Sequence, residues 1–405
     1  MKDVAGEDLM RDRSRAPLVI GWAAFLACSW TWCIGLFLPV LLVRDLGLMG
    51  WIIFAIPNVV GAAAMGWVLR TPGDSRRMVD EHRAAAVAFS LATIAFHVFF
   101  VAWMLRRLVG PWGPVVTAGL GVMIWGMSGG GAKTPGHEGA KSGDSSLALA
   151  GLVLLMSLAA MLGGMRKWLS FPTALPADAR QWLDVASLAP VCAFGFLLCP
   201  YLDLTFHRTR QNLAGSAGAV GFTLGFGVFF LAIIVFSLGY AAVLAPAVDM
   251  ARVDGVARSL AVPLGVYMMV QIAFTGAMHA RELLPMIRPE TRATGLAYAG
   301  LVSIVPMLMG TTANLDLRIL GLDLGEAMYR GFMGLYGLVF PAYVWLCMVR
   351  SAPTRRNLAV LAAAVLLALP FFWLGFIQRQ MVMLVPGIAI VLMGRMFVDR
   401  RVPQP

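Results

Sequence analysis

Long apolar runs alternate with short polar connectors from residue 18 to residue 396. They are Leu18–Val43, Leu48–Leu69, Ala84–Leu105, Val115–Met127, Leu147–Met165, Val185–Phe206, Val220–Val243, Leu260–Met278, Gly295–Met309, Ala327–Val349, Ala359–Ile377 and Met381–Met396. A helix of about 20 apolar residues crosses a bilayer core, so the pattern predicts an all-α polytopic membrane protein of about twelve transmembrane helices. Two of the runs carry a local conflict. The first contains Ser29-Trp30-Thr31-Trp32, then Gly35, then Pro39. The sixth contains Phe194-Gly195 followed by Cys199-Pro200. Glycine relaxes the backbone, and proline removes a donor and crowds the preceding turn. Backbone groups freed in lipid need protein or a cavity to satisfy them. Helices one and six are therefore expected to be interrupted.

Composition agrees with a membrane chain: 60% hydrophobic and 13% charged residues, against about 25% charged in soluble proteins. With the N-terminus placed inside, 21 of the 32 Lys and Arg residues fall on the cytoplasmic side. This asymmetry predicts that both termini are cytoplasmic, with an even number of spans in a cytoplasmic or inner membrane. The same reasoning assigns the net charge of +11 to topology and predicts no nucleic-acid partner. Cys28, Cys33, Cys192, Cys199 and Cys347 all fall within apolar runs, so no disulfide framework is expected. Met1–Arg15 mixes acids and bases and precedes a run too long for a signal peptide, which reads as a retained span. The glycine-rich stretch Ser128–Ser146 reads as a flexible loop, and Arg166–Asp184 as a connector that could hold a short interfacial helix.

The two conflicts stand at runs one and six. Under the charge-based topology these runs cross in opposite directions. Two five-helix groups of opposite orientation, each opening with a broken helix, form an inverted repeat. The divisions are a tail over 1–17, a first repeat over 18–165, a connector over 166–184, a second repeat over 185–349, and two further helices with the C-terminus over 350–405. This arrangement resembles the LeuT-type fold of the amino acid–polyamine–organocation superfamily. The second run, Ala55–Trp67, is similar in flavour to sodium:solute symporters, and no subfamily is identified. The resemblance covers about Leu18 to Met396. It implies that the two breaks face each other and cradle a solute. A major-facilitator arrangement of six plus six helices is the fold alternative, although its long loop would follow run six rather than run four.

The resemblance and the freed backbone together mark Trp30, Thr31, Trp32, Cys33, Gly35, Phe194 and Gly195 as substrate-binding candidates, with His97 and Tyr336 reaching the same region. Trp30 and Trp32 could line an aromatic pocket. Ionisable residues within spans are costly and are often functional, which singles out His97 and Asp203. Asp203 and His207 share a helical spacing of four, as do Glu326 and Arg330; the latter pair reads as a salt bridge or an outer gate. Asn58 is expected to bond a freed carbonyl, and Tyr343, like Tyr336, to need a hydroxyl partner. In sodium-coupled members of the fold, span eight supplies two adjacent hydroxyls and span one supplies carbonyls. Here Phe274-Thr275 offers one hydroxyl. Thr31, Ile34, Gln271, Thr275 and Asp203 are the ion-coupling candidates, with sodium or a proton as the coupling ion and no other cofactor.

No GxxxxGK[ST] phosphate loop or HExxH motif occurs in the sequence, which argues against a self-contained ATP-driven pump and a zinc protease. The leading expectation is a secondary active transporter, not an enzyme. It would move a small organic solute (amino acid, nucleobase, sugar or amine) by alternating access, coupled to a cation gradient. The alternatives are a membrane-embedded enzyme on a lipid-linked substrate, with Asp203, His207 and His279 as its loose candidates, and a non-transporting sensory or structural subunit. The expected partners are the solute and the lipid bilayer, and oligomeric state is left open.

Overall fold

The computed structural model describes residues 2–129, 144–165, 170–248, 258–287, 292–315 and 317–399. They form an all-α polytopic membrane protein. The helices are α1 (Lys2–Ser29), α2 (Cys33–Val68), α3 (Pro72–Glu81), α4 (Arg83–Val109), α5 (Gly113–Met127), α6 (Ser145–Met165) and α7 (Ala179–Leu198). After α7 comes a 3-10 turn (Cys199–Leu202). Then follow α8 (Leu204–Asn212), α9 (Ser216–Ala245), α10 (Arg258–Leu283), α11 (Arg292–Thr312), α12 (Leu324–Met348), α13 (Arg355–Phe376) and α14 (Met381–Gly394). Two short antiparallel strands, β1 (Arg318–Ile319) and β2 (Leu322–Asp323), form a hairpin before α12.

Among the described residues, eight helices are long and apolar enough to cross a membrane: α2, α4, α6, α7 with its 3-10 turn, α9, α10, α12 and α13. Ala16–Ser29, α5, Val302–Thr312 and α14 are apolar but shorter. Polarity runs inside out. Leu155, Val122, Leu366 and Trp67 are exposed on the surface, while Ser29, Thr31, Asn58, Asp203, Thr205, Gln271, Thr275 and His279 are buried. An apolar exterior of this extent suits hydrocarbon rather than water.

α2 is two helices joined at a sharp bend. Gly47 there has φ 61°, and a Cβ on it would stand 2.4 Å from the carbonyl oxygen of Ala174. A side chain fits neither the angle nor the space. The Leu48 amide donates to the same carbonyl at 2.9 Å. Gly50 then lies against the Leu42 carbonyl oxygen, 2.3 Å from where its Cβ would be. In a straight helix these residues would be about 12 Å apart along the axis, so α2 folds back as a hairpin. The connector that meets the bend is not helical over 170–178; α7 begins at Ala179, capped by Asp178. The expected interfacial helix is absent from that part of the connector. Residues 130–143 of the glycine-rich stretch and 166–169 of the connector lie outside the described residues.

α2 packs against α7 and α9, α10 against α4 and α5, α11 against α4, and α1 against α6 and α9. α13 and α14 pack on each other and flank α7 and α12. The polar interior lies where α1, α2, α4, α7, α8, α10 and α12 converge.

Candidate functional site

The first interruption lies between α1 and α2, at Trp30–Trp32. It is N-terminal to the glycine and proline that mark it in the sequence, for Gly35 and Pro39 are both inside α2. Hydroxyls explain the position. Ser29 Oγ donates to the Leu26 carbonyl at 3.3 Å and Thr31 Oγ1 to the Ala27 carbonyl at 2.7 Å. Such bonds compete with the helical ladder. The Trp32 indole N–H bonds the Ser29 carbonyl at 2.8 Å, folding the ring back over the break. The Trp30 indole N–H donates to Asn58 Oδ1 at 2.7 Å, so Asn58 accepts from a side chain and does not serve a carbonyl.

The second interruption is the 3-10 turn at Cys199–Leu202 and the extended residue Asp203. Asp203 caps α8: its Oδ1 accepts from the Thr205 amide at 2.7 Å, the Phe206 amide at 3.4 Å and Thr205 Oγ1 at 2.7 Å. A capping residue is not on the helix face, which separates Asp203 from His207. The His207 ring turns instead to Ser75 Oγ and the Tyr201 carbonyl, at 2.9 and 3.0 Å. The two interruptions meet where Thr205 Oγ1 lies 3.1 Å from Ser29 Oγ.

Asp203 has a partner from another helix. Its Oδ2 lies 3.6 Å from His279 Nε2 on α10, with both side chains fully buried. Neither atom has a hydrogen-bond partner at that distance. His279 Nδ1 faces Ser90 Oγ at 3.3 Å. His97 Nδ1 meets the Thr93 carbonyl at 2.6 Å, and its Nε2 is buried without a partner. The Trp32 ring links these groups, with centroids 5.5 Å from His279, 6.4 Å from His97 and 5.4 Å from Tyr336.

An apolar cavity of about 80 Å³ opens beside the tryptophans. On α2 it is lined by Ile34, Leu38, Leu41 and Leu42, on α7 by Leu188, Val191, Cys192, Gly195 and Phe196, and in the 3-10 turn by Cys199. These spacings of three and four define one face of each helix. Of the solute-contact candidates Trp30, Trp32, Gly195 and Tyr336 line it, and of the ion-coupling candidates Ile34 does. Thr31, Cys33, Gly35, His97 and Phe194 do not. Phe194 is off the α7 face and packs on Trp345 at 6.4 Å, and Gly35 backs onto Phe230. The carbonyl of Cys33 accepts the Tyr329 hydroxyl at 3.0 Å.

Charged networks stand at both ends of this region. Arg330 lines the cavity and pairs with Asp45 at 2.6 Å and Glu326 at 2.8 Å. Arg44 makes a two-pronged bond to Glu326 at 2.9 and 2.6 Å, and Arg379 reaches Asp45 at 3.1 Å. At the other end Arg208 bonds Asp144 and Glu282, and Arg281 approaches Asp144 at 3.5 Å. Burial opposes ionisation of Asp144, but Arg208, Ser146 and Arg281 outweigh it and hold the carboxyl below its usual range. Arg44 and Asp45 are neighbours in sequence and bond each other at 2.9 Å, but no local signal pairs them with Glu326, Arg330 or Arg379, or pairs His279 with Asp203; the fold does that.

Thr275 Oγ1 lies 3.0 Å from the Cys28 carbonyl oxygen, 3.5 Å from that of Thr31 and 3.0 Å from that of Gln271. Gln271 Nε2 donates to Ser157 Oγ. These four oxygens, one of them a donor to the others, are fewer than the about six that a hard cation usually gathers, and Gln271 Oε1 is buried without a hydrogen-bond partner. The neighbouring position is Phe274, whose ring packs on Phe25 at 6.0 Å.

No family model matches the chain, and no curated protein matches it.

Proposed function

We propose that this protein is a secondary active transporter of a small organic solute, built on a LeuT-like inverted repeat and working by alternating access. The observation that carries the reading is the meeting of the two interruptions at Ser29 and Thr205. Beside them lies an apolar cavity, with charged networks at the two ends of the region. Broken helices that meet near mid-membrane are how such transporters hold a solute, and ion pairs that form and part can serve as gates.

Helix pairing supports the repeat. Counting crossings from the interrupted α1–α2 segment, with the second half of α2 as the next, gives twelve. Under exchange of each crossing with the one five later, α5–α10 packing maps onto α11–α4, and α1–α6 onto α7–α12. α2–α9 and α4–α10 map onto themselves. All of these pairs are in contact. Both termini then lie on one side, in agreement with the basic-residue asymmetry.

The cavity narrows the solute class. Its polar side chains are already bonded: Asn58 to Trp30, Tyr336 to Thr93, and Arg330 to Asp45, Glu326 and the Phe376 carbonyl. A sugar would bring hydroxyls with few partners. An apolar or aromatic body, as in an amino acid, amine or nucleobase, fits two indole faces better.

The test is uptake by purified protein in liposomes, with a panel of these solutes and imposed sodium or pH gradients. Gradient-driven accumulation of one class, abolished in Trp32→Ala, is expected. A panel in which nothing accumulates under either gradient overturns the reading and favours the non-transporting subunit.

A further inference from the structure

Asp203 and His279 form a buried carboxylate–imidazole pair with facing atoms that no other group satisfies, and it stands where the two broken helices meet. We infer that this pair is the proton-binding site of the protein: one proton, shared between Asp203 Oδ2 and His279 Nε2, is taken up as the helix breaks close and released as they part. The inference rests on the transport reading and specifies its coupling ion.

Charge is the first argument. An ionised carboxylate beside a neutral imidazole, both fully buried, leaves a charge that the start of α8 stabilises at Oδ1 alone and that no counter-ion offsets, which is unfavourable in a low-dielectric interior. One added proton makes the pair neutral as acid plus imidazole, or a compensated ion pair as carboxylate plus imidazolium. In either form the two facing atoms hold a hydrogen between them across the 3.6 Å gap, and the two groups then titrate as a unit.

Placement is the second. Asp203 Oδ1 is held by the start of α8, so only Oδ2 is free to take the proton. His279 Nδ1 has Ser90 Oγ to exchange a hydrogen bond with, whichever tautomer is present. The pair touches both interruptions, through Thr205 to Ser29 and through the His279 ring to Trp32. Protonation is therefore felt at the cavity wall without a further relay.

The surrounding groups do not supply a substitute counter-charge. From α4 come Ser90 and His97, from α12 Tyr336, from α1 Ser29, and from the first interruption Trp32. On α8 and α10 the nearest charged groups are Arg208, Arg281 and Glu282, and these pair with one another and with Asp144. His207 is turned to Ser75 and Tyr201. Glu282 follows His279 by three residues, one helical turn away, so the network closing this end is the first polar stop for a departing proton.

The experiment is an infrared pH titration of the purified full-length protein in lipid nanodiscs, following the protonated-carboxyl stretching band and, in parallel, tryptophan emission. The wild type is expected to show a carboxyl band that titrates with the emission change. Asp203→Asn loses that band, Asp203→Glu keeps one, and His279→Gln moves its midpoint by about one pH unit or more. A band unchanged in both Asp203→Asn and His279→Gln overturns the inference, as does a midpoint indifferent to His279→Gln if Asp203→Asn does not fold. Titration in protein that transports nothing would sink the transport reading and leave the proton site. Gradient-driven uptake with no Asp203 titration would do the reverse.

Discussion

The carbonyl oxygen of Tyr336 lies 2.7 Å from the position a Cβ on Gly195 would occupy. α7 and α12 touch backbone to backbone there, and Cys199 Sγ donates to the same carbonyl at 3.4 Å. Gly195 is thus a contact glycine inside α7, one helical turn before the interruption. Gly195→Ala is expected to push α7 from α12 and destabilise the protein by about 1–3 kcal/mol, by overpacking against main chain. Gly195→Val should be worse. Thermal unfolding in detergent checks the order; equal melting of all three proteins would contradict it.

Asp203 has two separable roles, as the cap of α8 and as the partner of His279. Asn keeps a capping oxygen, whereas Ala removes it. Asp203→Ala is expected to be less stable than Asp203→Asn by about 1 kcal/mol, the usual worth of a cap. Melting curves of the two variants at one pH give the difference, and identical curves would mean that the cap contributes nothing.

How much of this could be read from the chain follows from the same residues. The membrane class and the neighbourhoods of both interruptions were legible, because apolar runs and Gly–Pro conflicts are local signals. The exact breaks were displaced. Ser29 and Thr31 end α1 by bonding back to carbonyls, a signal present in the sequence but weaker to the eye than Pro39, which α2 absorbs. Asp203 and His207 suggested a pair by spacing, yet capping turned Asp203 towards α10. Its true partner, like Asp45 for Arg330 and Arg44 for Glu326, is set by tertiary packing that no local pattern encodes.

The network around Arg330 should show a steep gradient of importance. Arg330 is mostly buried and bonds two carboxylates, so Arg330→Ala leaves Asp45 and Glu326 under-compensated, a cost of about 3 kcal/mol. Arg379 is half exposed, and Arg379→Ala should cost less than about 1 kcal/mol. Denaturation of the two variants tests this. Similar losses would mean that the network acts as a surface feature.

His82, between α3 and α4, offers a pH handle outside the membrane-spanning helices. Burial pushes its pKa down to about 4, and its Nδ1 meets the Tyr343 hydroxyl at 3.0 Å. A histidine depressed on folding takes up protons more readily in the unfolded chain. Its contribution to stability is therefore complete above the unfolded value near 6.5 and is lost as the pH falls towards 4. The fall in melting temperature between neutral pH and pH about 5 should shrink in His82→Asn. An unchanged fall would remove His82 as its source.

Cys199 lies in the second interruption and lines the cavity, which makes it a reporter of access to the paired breaks. In a variant retaining only Cys199, a membrane-impermeant maleimide would be applied from each side of oriented vesicles, at high and low pH. Alternating access at the paired breaks predicts labelling from either side, with pH changing which side reacts faster. Labelling from one side only at every pH, or from neither, would contradict it.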